Sequence, residues 1–148
     1  MYFHYLFIIR GTVLATFVQK QINMSQKSKK QFGVWMDTHH ATIVGRSNAE
    51  AKDFSVIGHA ENAGPGFNSS EKNANNDEIT LKHKFYKEIL THMQNAEEVH
   101  ITGTGTSQEQ FMRYMSETPQ FKNTVTTECT SNKMSDERLT EFIAEKFN

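Results

Sequence analysis

Apolar positions along this chain change their period in a regular order. From Phe32 to Asp37 and from Ala41 to Gly45, two short runs, Phe-Gly-Val-Trp-Met-Asp and Ala-Thr-Ile-Val-Gly, have the composition of strands. Thr38, His39 and His40 between them predict a hairpin. A third strand is expected over Asp53 to His59, with Phe54, Val56 and Ile57 as its apolar positions. Residues 60–77 are rich in Asn, Ser and Gly and carry no buried periodicity. They predict a polar loop, of a length that is either functional or disordered. From Glu78 to about Gln94 the period becomes helical. Ile79, Tyr86, Ile89, Leu90 and Met93 share one face, with Lys82, Lys84, Lys87 and Glu88 largely outside it.

The stretch from Glu98 to Gln110 predicts a short strand, a glycine turn and the start of a helix. Val99 and Ile101 alternate with polar neighbours, Gly103 and Gly105 allow backbone angles closed to other residues, and Thr106 with Glu109 has the spacing of a capping box. That helix is expected to bury Phe111, Met112 and Met115 and to stop near Thr118, because Pro119 disfavours the helical region for its predecessor. A fifth strand is expected over Asn123 to Cys129. The last helix is the best punctuated: Ser135 caps it, Asp136 and Glu137 suit its positive end, and Met134 with Leu139 makes a hydrophobic staple. Leu139, Phe142, Ile143 and Phe147 form its core face. Three antiparallel strands followed by right-handed crossovers predict an α/β fold, βββαβαβα. Its mixed five-stranded sheet has the ribonuclease-H-like order 3-2-1-4-5, with three helices packed on it.

The first 23 residues stand apart. Tyr2, Phe3, Tyr5, Leu6, Phe7, Ile8 and Ile9 crowd ahead of Arg10, which splits the apolar stretch, and no acidic residue occurs there. The pattern fits neither a secretory signal, with its positive charge first, nor a spanning helix of about 20 apolar residues. Met24 is the expected start, with residues 1–23 as upstream sequence. Residues 1–30, including the basic Lys27, Lys29 and Lys30, are expected to form a disordered leader, and residues 31–148 a single α/β domain. No membrane partner is expected.

Composition narrows the function classes. At 148 residues, 36% hydrophobic and 22% charged, the chain can bury a real core. Leaving out Arg10 and Lys20 from the 16 basic residues puts 14 against 17 acidic ones. A domain with that balance does not hold nucleic acid by its overall field, so any RNA contact is local or supported by a partner. One cysteine, Cys129, excludes an internal disulfide framework and suits a reducing, cytoplasmic setting. The histidines are many, but His39 and His40 are adjacent on a turn, His83 and His92 are roughly opposed on a helix, and none forms a ligand spacing with Cys129. They are expected as exposed turn and helix residues, and no metal or cofactor is called for. Asp37 stands where a metal-dependent nuclease would place an acid, with Glu78 opening the next helix. The fourth strand ends without a carboxylate, which leaves a metal pair short of ligands. Asp37 is therefore read as a turn residue accepting local backbone hydrogen bonds.

The turn Gly103, Thr104, Gly105, Thr106 and Ser107 offers a possible phosphate cradle at a helix start. Its spacing matches neither common phosphate-loop pattern, no lysine follows, and Thr106 and Ser107 can cap the helix with the same amides. A small phosphate-ligand binder or phosphoester enzyme built on this turn is the minority reading.

Four stretches also resemble a known family: Phe32 to Gly45, the helix containing Phe85 and Tyr86, Val99 to Gly105, and Phe111 to Phe121. Over residues 31–148, in order, the chain is similar to the central domain of archaeal and eukaryotic peptide-chain release factors and of pelota, and to small stand-alone bacterial relatives described as translational machinery components. The resemblance implies the same fold and a ribosome or tRNA setting. In release factors a Gly-Gly-Gln loop after the third strand helps place water at the peptidyl-tRNA ester. The corresponding stretch here, Ala60 to Asp77, has Gly64-Pro65-Gly66 and no glutamine, a lack shared with pelota. The implied role is a non-catalytic ribosome- or RNA-associated module with no catalytic residue assigned. Its contact surface is expected at Phe67 and Lys72 of the loop and at Lys82, Lys84 and Lys87 of the helix edge.

Overall fold

The computed structural model describes residues 29–46, 53–64 and 71–148, with the side chains of 71–75 left aside. Its strands are β1 (Gln31–Met36), β2 (His40–Arg46), β3 (Phe54–Glu61), β4 (Glu98–Gly103) and β5 (Val125–Thr130). The helices are α1 (Glu71–Thr91), α2 (Thr106–Glu117) and α3 (Asp136–Phe147), with a 3-10 turn at Pro119–Phe121 after α2. The sheet has the expected order, β3-β2-β1-β4-β5. β2 is antiparallel to both β1 and β3, while β4 is parallel to both β1 and β5.

Central β1 is apolar on both faces because both are covered, as strands between two helical layers must be. Val34, Met36, Ile43, Val99 and Ile101 meet Phe85 and Ile89 of α1, Met93 of the turn that follows it, and Phe111 and Met115 of α2 in the larger core. On the opposite face Trp35, Val44 and Phe54 pack against Leu139 and Ile143 of α3 in a smaller one, with Met134 beside it. The Phe54 and Phe147 rings stack there, 5.7 Å apart. Gly33 lets α3 lie flush on β1, since a Cβ at that position would stand 2.3 Å from the Ile143 side chain. Ile57 is the extra residue of a bulge, for Ile43 pairs with Gly58 and Val44 with Val56.

Helix ends show which local signals decide. Ser135 Oγ accepts the Arg138 amide at 3.2 Å, as its capping role requires. At α2 the expected Thr106 and Glu109 pair does not form. The N-cap is Gly105, at φ 127°, a backbone region that glycine alone enters without strain. This moves the third helical position from Glu109 to Gln108, whose Oε1 accepts the Gly105 amide at 2.9 Å. Helix α1 begins at Glu71 instead of Glu78, so the expected loop over 60–77 is much shorter. Asp77 to Thr80 are exposed, and Ile79, expected on the buried face, is 55% exposed. A turn that overhangs the sheet needs no apolar stripe, and periodicity is blind to it. The same helix ends at Thr91, and Asn95 closes the following turn at φ 60°. No helix among the described residues is long and apolar enough to cross a membrane.

Candidate functional site

The parallel strands β1 and β4 end side by side, with Met36 level with Gly103. From there β1 turns back towards β2, while β4 feeds α2 and crosses to β5 on the other side. Such a divergence opens a crevice beyond the carboxyl ends of the two strands, the usual ligand position in open α/β sheets. A cavity of about 160 Å³ lies there, lined by Asp37 and Thr38 of the hairpin, Lys82, Phe85 and Tyr86 of α1, and Thr106, Ser107 and Gln110 of α2.

Asp37 performs the turn role. Its Oδ1 accepts the amides of His39 at 2.8 Å and His40 at 2.6 Å. Burial pushes the carboxyl up, but these two bonds and the neighbouring imidazoles outweigh it and hold the group below its ordinary value. Thr38 Oγ1 and Ser107 Oγ face each other across the crevice at 3.3 Å. Lys82 Nζ donates to Gln110 Oε1 at 3.2 Å. Tyr86 is 4% exposed, and its hydroxyl has no hydrogen-bond partner among the described residues. Burial raises its pKa.

The turn after β4 divides into two parts. Gly103 serves packing alone, because a Cβ there would meet the Met36 carbonyl oxygen. Thr104 is exposed and Gly105 is held by Gln108. Among the described residues no side chain caps the first α2 amides, so the expected self-capping by Thr106 and Ser107 is absent, and both residues line the crevice instead.

Of the expected contact residues, the side chains of Lys82, Lys84 and Lys87 are among the described ones. Lys84 and Lys87 are exposed on α1 and one turn apart, whereas Lys82 faces α2. The Lys72 backbone lies in the first turn of α1 and not in a loop, and Phe67 lies outside the described residues.

A second polar group was hidden from the sequence. His100 is 5% exposed, contrary to the exposed setting expected for it. Its Nδ1 is 2.7 Å from Thr127 Oγ1 and its Nε2 3.3 Å from Cys129 Sγ. Cys129 Sγ donates to Thr102 Oγ1 at 3.3 Å, and Thr102 Oγ1 donates to Ser131 Oγ at 2.6 Å. Burial, with Lys146 adding to it, holds the imidazole below its ordinary pKa. A neutral imidazole supplies no cation to stabilise a thiolate, so the chain of contacts works as a satisfied polar seam between β4 and β5. The signal that could have found it is the parallel register, which sets His100 opposite Thr127 and Thr102 opposite Cys129. Among the described residues no group of three or more His, Cys, Asp or Glu side chains is placed to hold a metal ion.

No family model and no curated protein matches the chain. Among solved structures it is similar to the Pelota protein of Thermoplasma acidophilum, at 18% identity and a TM-score of 0.54, over 80% of this chain and 33% of that one. It is also similar to Pelota of Archaeoglobus fulgidus, at 12% identity and a TM-score of 0.51, over 88% of this chain and 37% of that one. The chain spans about a third of the length of either. At these identities the likeness is one of fold, and the fold is the one the sequence resemblance implies: the mixed five-stranded sheet of a Pelota-like domain.

Proposed function

We propose that this chain acts in the cytoplasm as a non-catalytic, translation-factor-like module, made of residues 31–148, that associates with the ribosome or with RNA. The observation that carries this reading is the fold shared with Pelota. It agrees with the ordered resemblance over the same residues, and the stretch from Ala60 to Asp77 contains no glutamine to serve a release reaction. The contact surface is the outer edge of α1, where Lys84 and Lys87 stand exposed, together with Lys72 and Phe67. With 14 basic against 17 acidic residues outside the first 23, the domain relies on such a local basic edge to meet phosphates.

Sedimentation of the tagged full chain through a gradient tests the reading. The protein should travel with ribosomes in growing or starved cells, and washing at high salt should release it. The double variant Lys84→Glu, Lys87→Glu should shift most of it to the top of the gradient. Wild-type protein found only at the top in both growth states would refute the association.

A further inference from the structure

Beyond that reading, and independently of it, the crevice between the Asp37–Thr38 turn and the start of α2 has a chemistry of its own. Three kinds of donor converge there. Lys82 brings a cation. The opening amides of α2 bring uncapped N–H groups and the positive end of the helix dipole. Tyr86 supplies an independent sign of a ligand, being buried in all but 4% of its surface, with a hydroxyl that has no partner among the described residues. A helical side chain leans towards the amino end of its helix, which points the Tyr86 hydroxyl at Lys82 and the crevice. Among the described residues the sealed, unpaired side-chain atoms are Trp35 Nε1 and Arg46 Nε, and that hydroxyl is not one of them. The opening it reaches is the cavity it lines.

The wall opposite is an acceptor. Asp37 Oδ1 is occupied by two backbone amides, and Oδ2 has no partner among the described residues. A bare anion would be repelled by it, whereas an anion with a hydroxyl would donate to it. We propose that this crevice binds a phosphate group accompanied by a hydroxyl: the Lys82 ammonium, the Tyr86 hydroxyl and the Thr106 and Ser107 amides take the phosphate oxygens, and Asp37 Oδ2 accepts the ligand hydroxyl. Hydrogen phosphate carries that hydroxyl itself, and a nucleoside 3′-monophosphate carries it on the neighbouring sugar carbon. Sulfate has the same shape and no proton to give near neutral pH.

Amide spectra of the ¹⁵N-labelled full chain, titrated at matched ionic strength with sodium phosphate, adenosine 3′-monophosphate and sodium sulfate, test this. The Thr106 and Ser107 amides should move saturably with at least one of the two phosphates and far less with sulfate. Tighter binding of the free ion assigns the site to inorganic phosphate, and tighter binding of the nucleotide assigns it to a ribose ester. Lys82→Met and Tyr86→Phe should each weaken binding by about tenfold, the loss of one good hydrogen bond. Lys82 lies outside the apolar clusters, so its variant keeps the fold and gives a clean reading even if Tyr86→Phe does not. Amides that stay still with both phosphates, that move equally with sulfate, or that respond undiminished in Lys82→Met would overturn the proposal.

Discussion

The two faces of the sheet are built on different principles. Under α1 and α2 the contacts are mainly apolar, with the hydrogen-bonded Gln108 as a buried polar exception, and Val34, Met36, Ile89, Met93, Ile101 and Phe111 are all sealed from solvent. Under α3 the apolar cluster centres on five buried residues, Trp35, Val44, Phe54, Leu139 and Ile143, and gives way to the His100 polar seam towards β5. Burial of one large aliphatic side chain contributes about 1.5–3 kcal/mol, so the first face carries most of the stabilisation. Directional bonds on the second face fix alignment between β4 and β5 at little net gain, since a made hydrogen bond adds only about 0.5–1.5 kcal/mol. One face sets stability, and the other sets register.

Three substitutions can break or sharpen this contrast. The largest effect belongs to Phe111→Ala, which opens a cavity in the dense face and should cost about 4 kcal/mol. Urea unfolding followed by far-ultraviolet circular dichroism should show it as one global transition at a lower midpoint. Ile143→Ala should cost about 3 kcal/mol, and its loss should be regional. Amide exchange should quicken in α3 while α1 and α2 stay protected; equal quickening in all three would mean the faces are not separable. The smallest effect is that of His100→Asn, read as a pH dependence. The folded imidazole is held below its ordinary value of 6.5, so an unfolded chain binds the proton more readily. That contribution to stability is fully present above the unfolded value and is lost as the pH falls through the lower folded value. The urea midpoint should fall more steeply with acidification in the wild type than in His100→Asn; parallel slopes would remove the seam from the account.

What could be read beforehand was whatever depends on near neighbours. The apolar, β-branched and aromatic composition of Phe32–Met36 and Ala41–Gly45 marks strands because it acts within each short run, and the Ser135 cap lies three residues from the amide it satisfies. The beginning of α1 escaped because residues with no core to face have no pattern to show. The α2 cap was misplaced by a single residue, and Gly105 at a positive φ was the reason. Burial of His100 depends on Thr127 and Cys129, which only the parallel pairing brings near. The crevice draws on residues 37–38, 82–86 and 106–110, three segments that no sequence window contains. Its most telling member, Tyr86, was legible as a core residue but not as one lacking a partner.

Trp35 is the only tryptophan in the chain, it lies 3% exposed beneath α3, and its indole nitrogen has no hydrogen-bond partner among the described residues. That makes it a built-in optical gauge. In the folded protein its emission should be shifted to the blue and shielded from iodide quenching, and release of α3 alone should shift it to the red. The fluorescence of the unmodified protein therefore reports on one layer of the sandwich separately from the other.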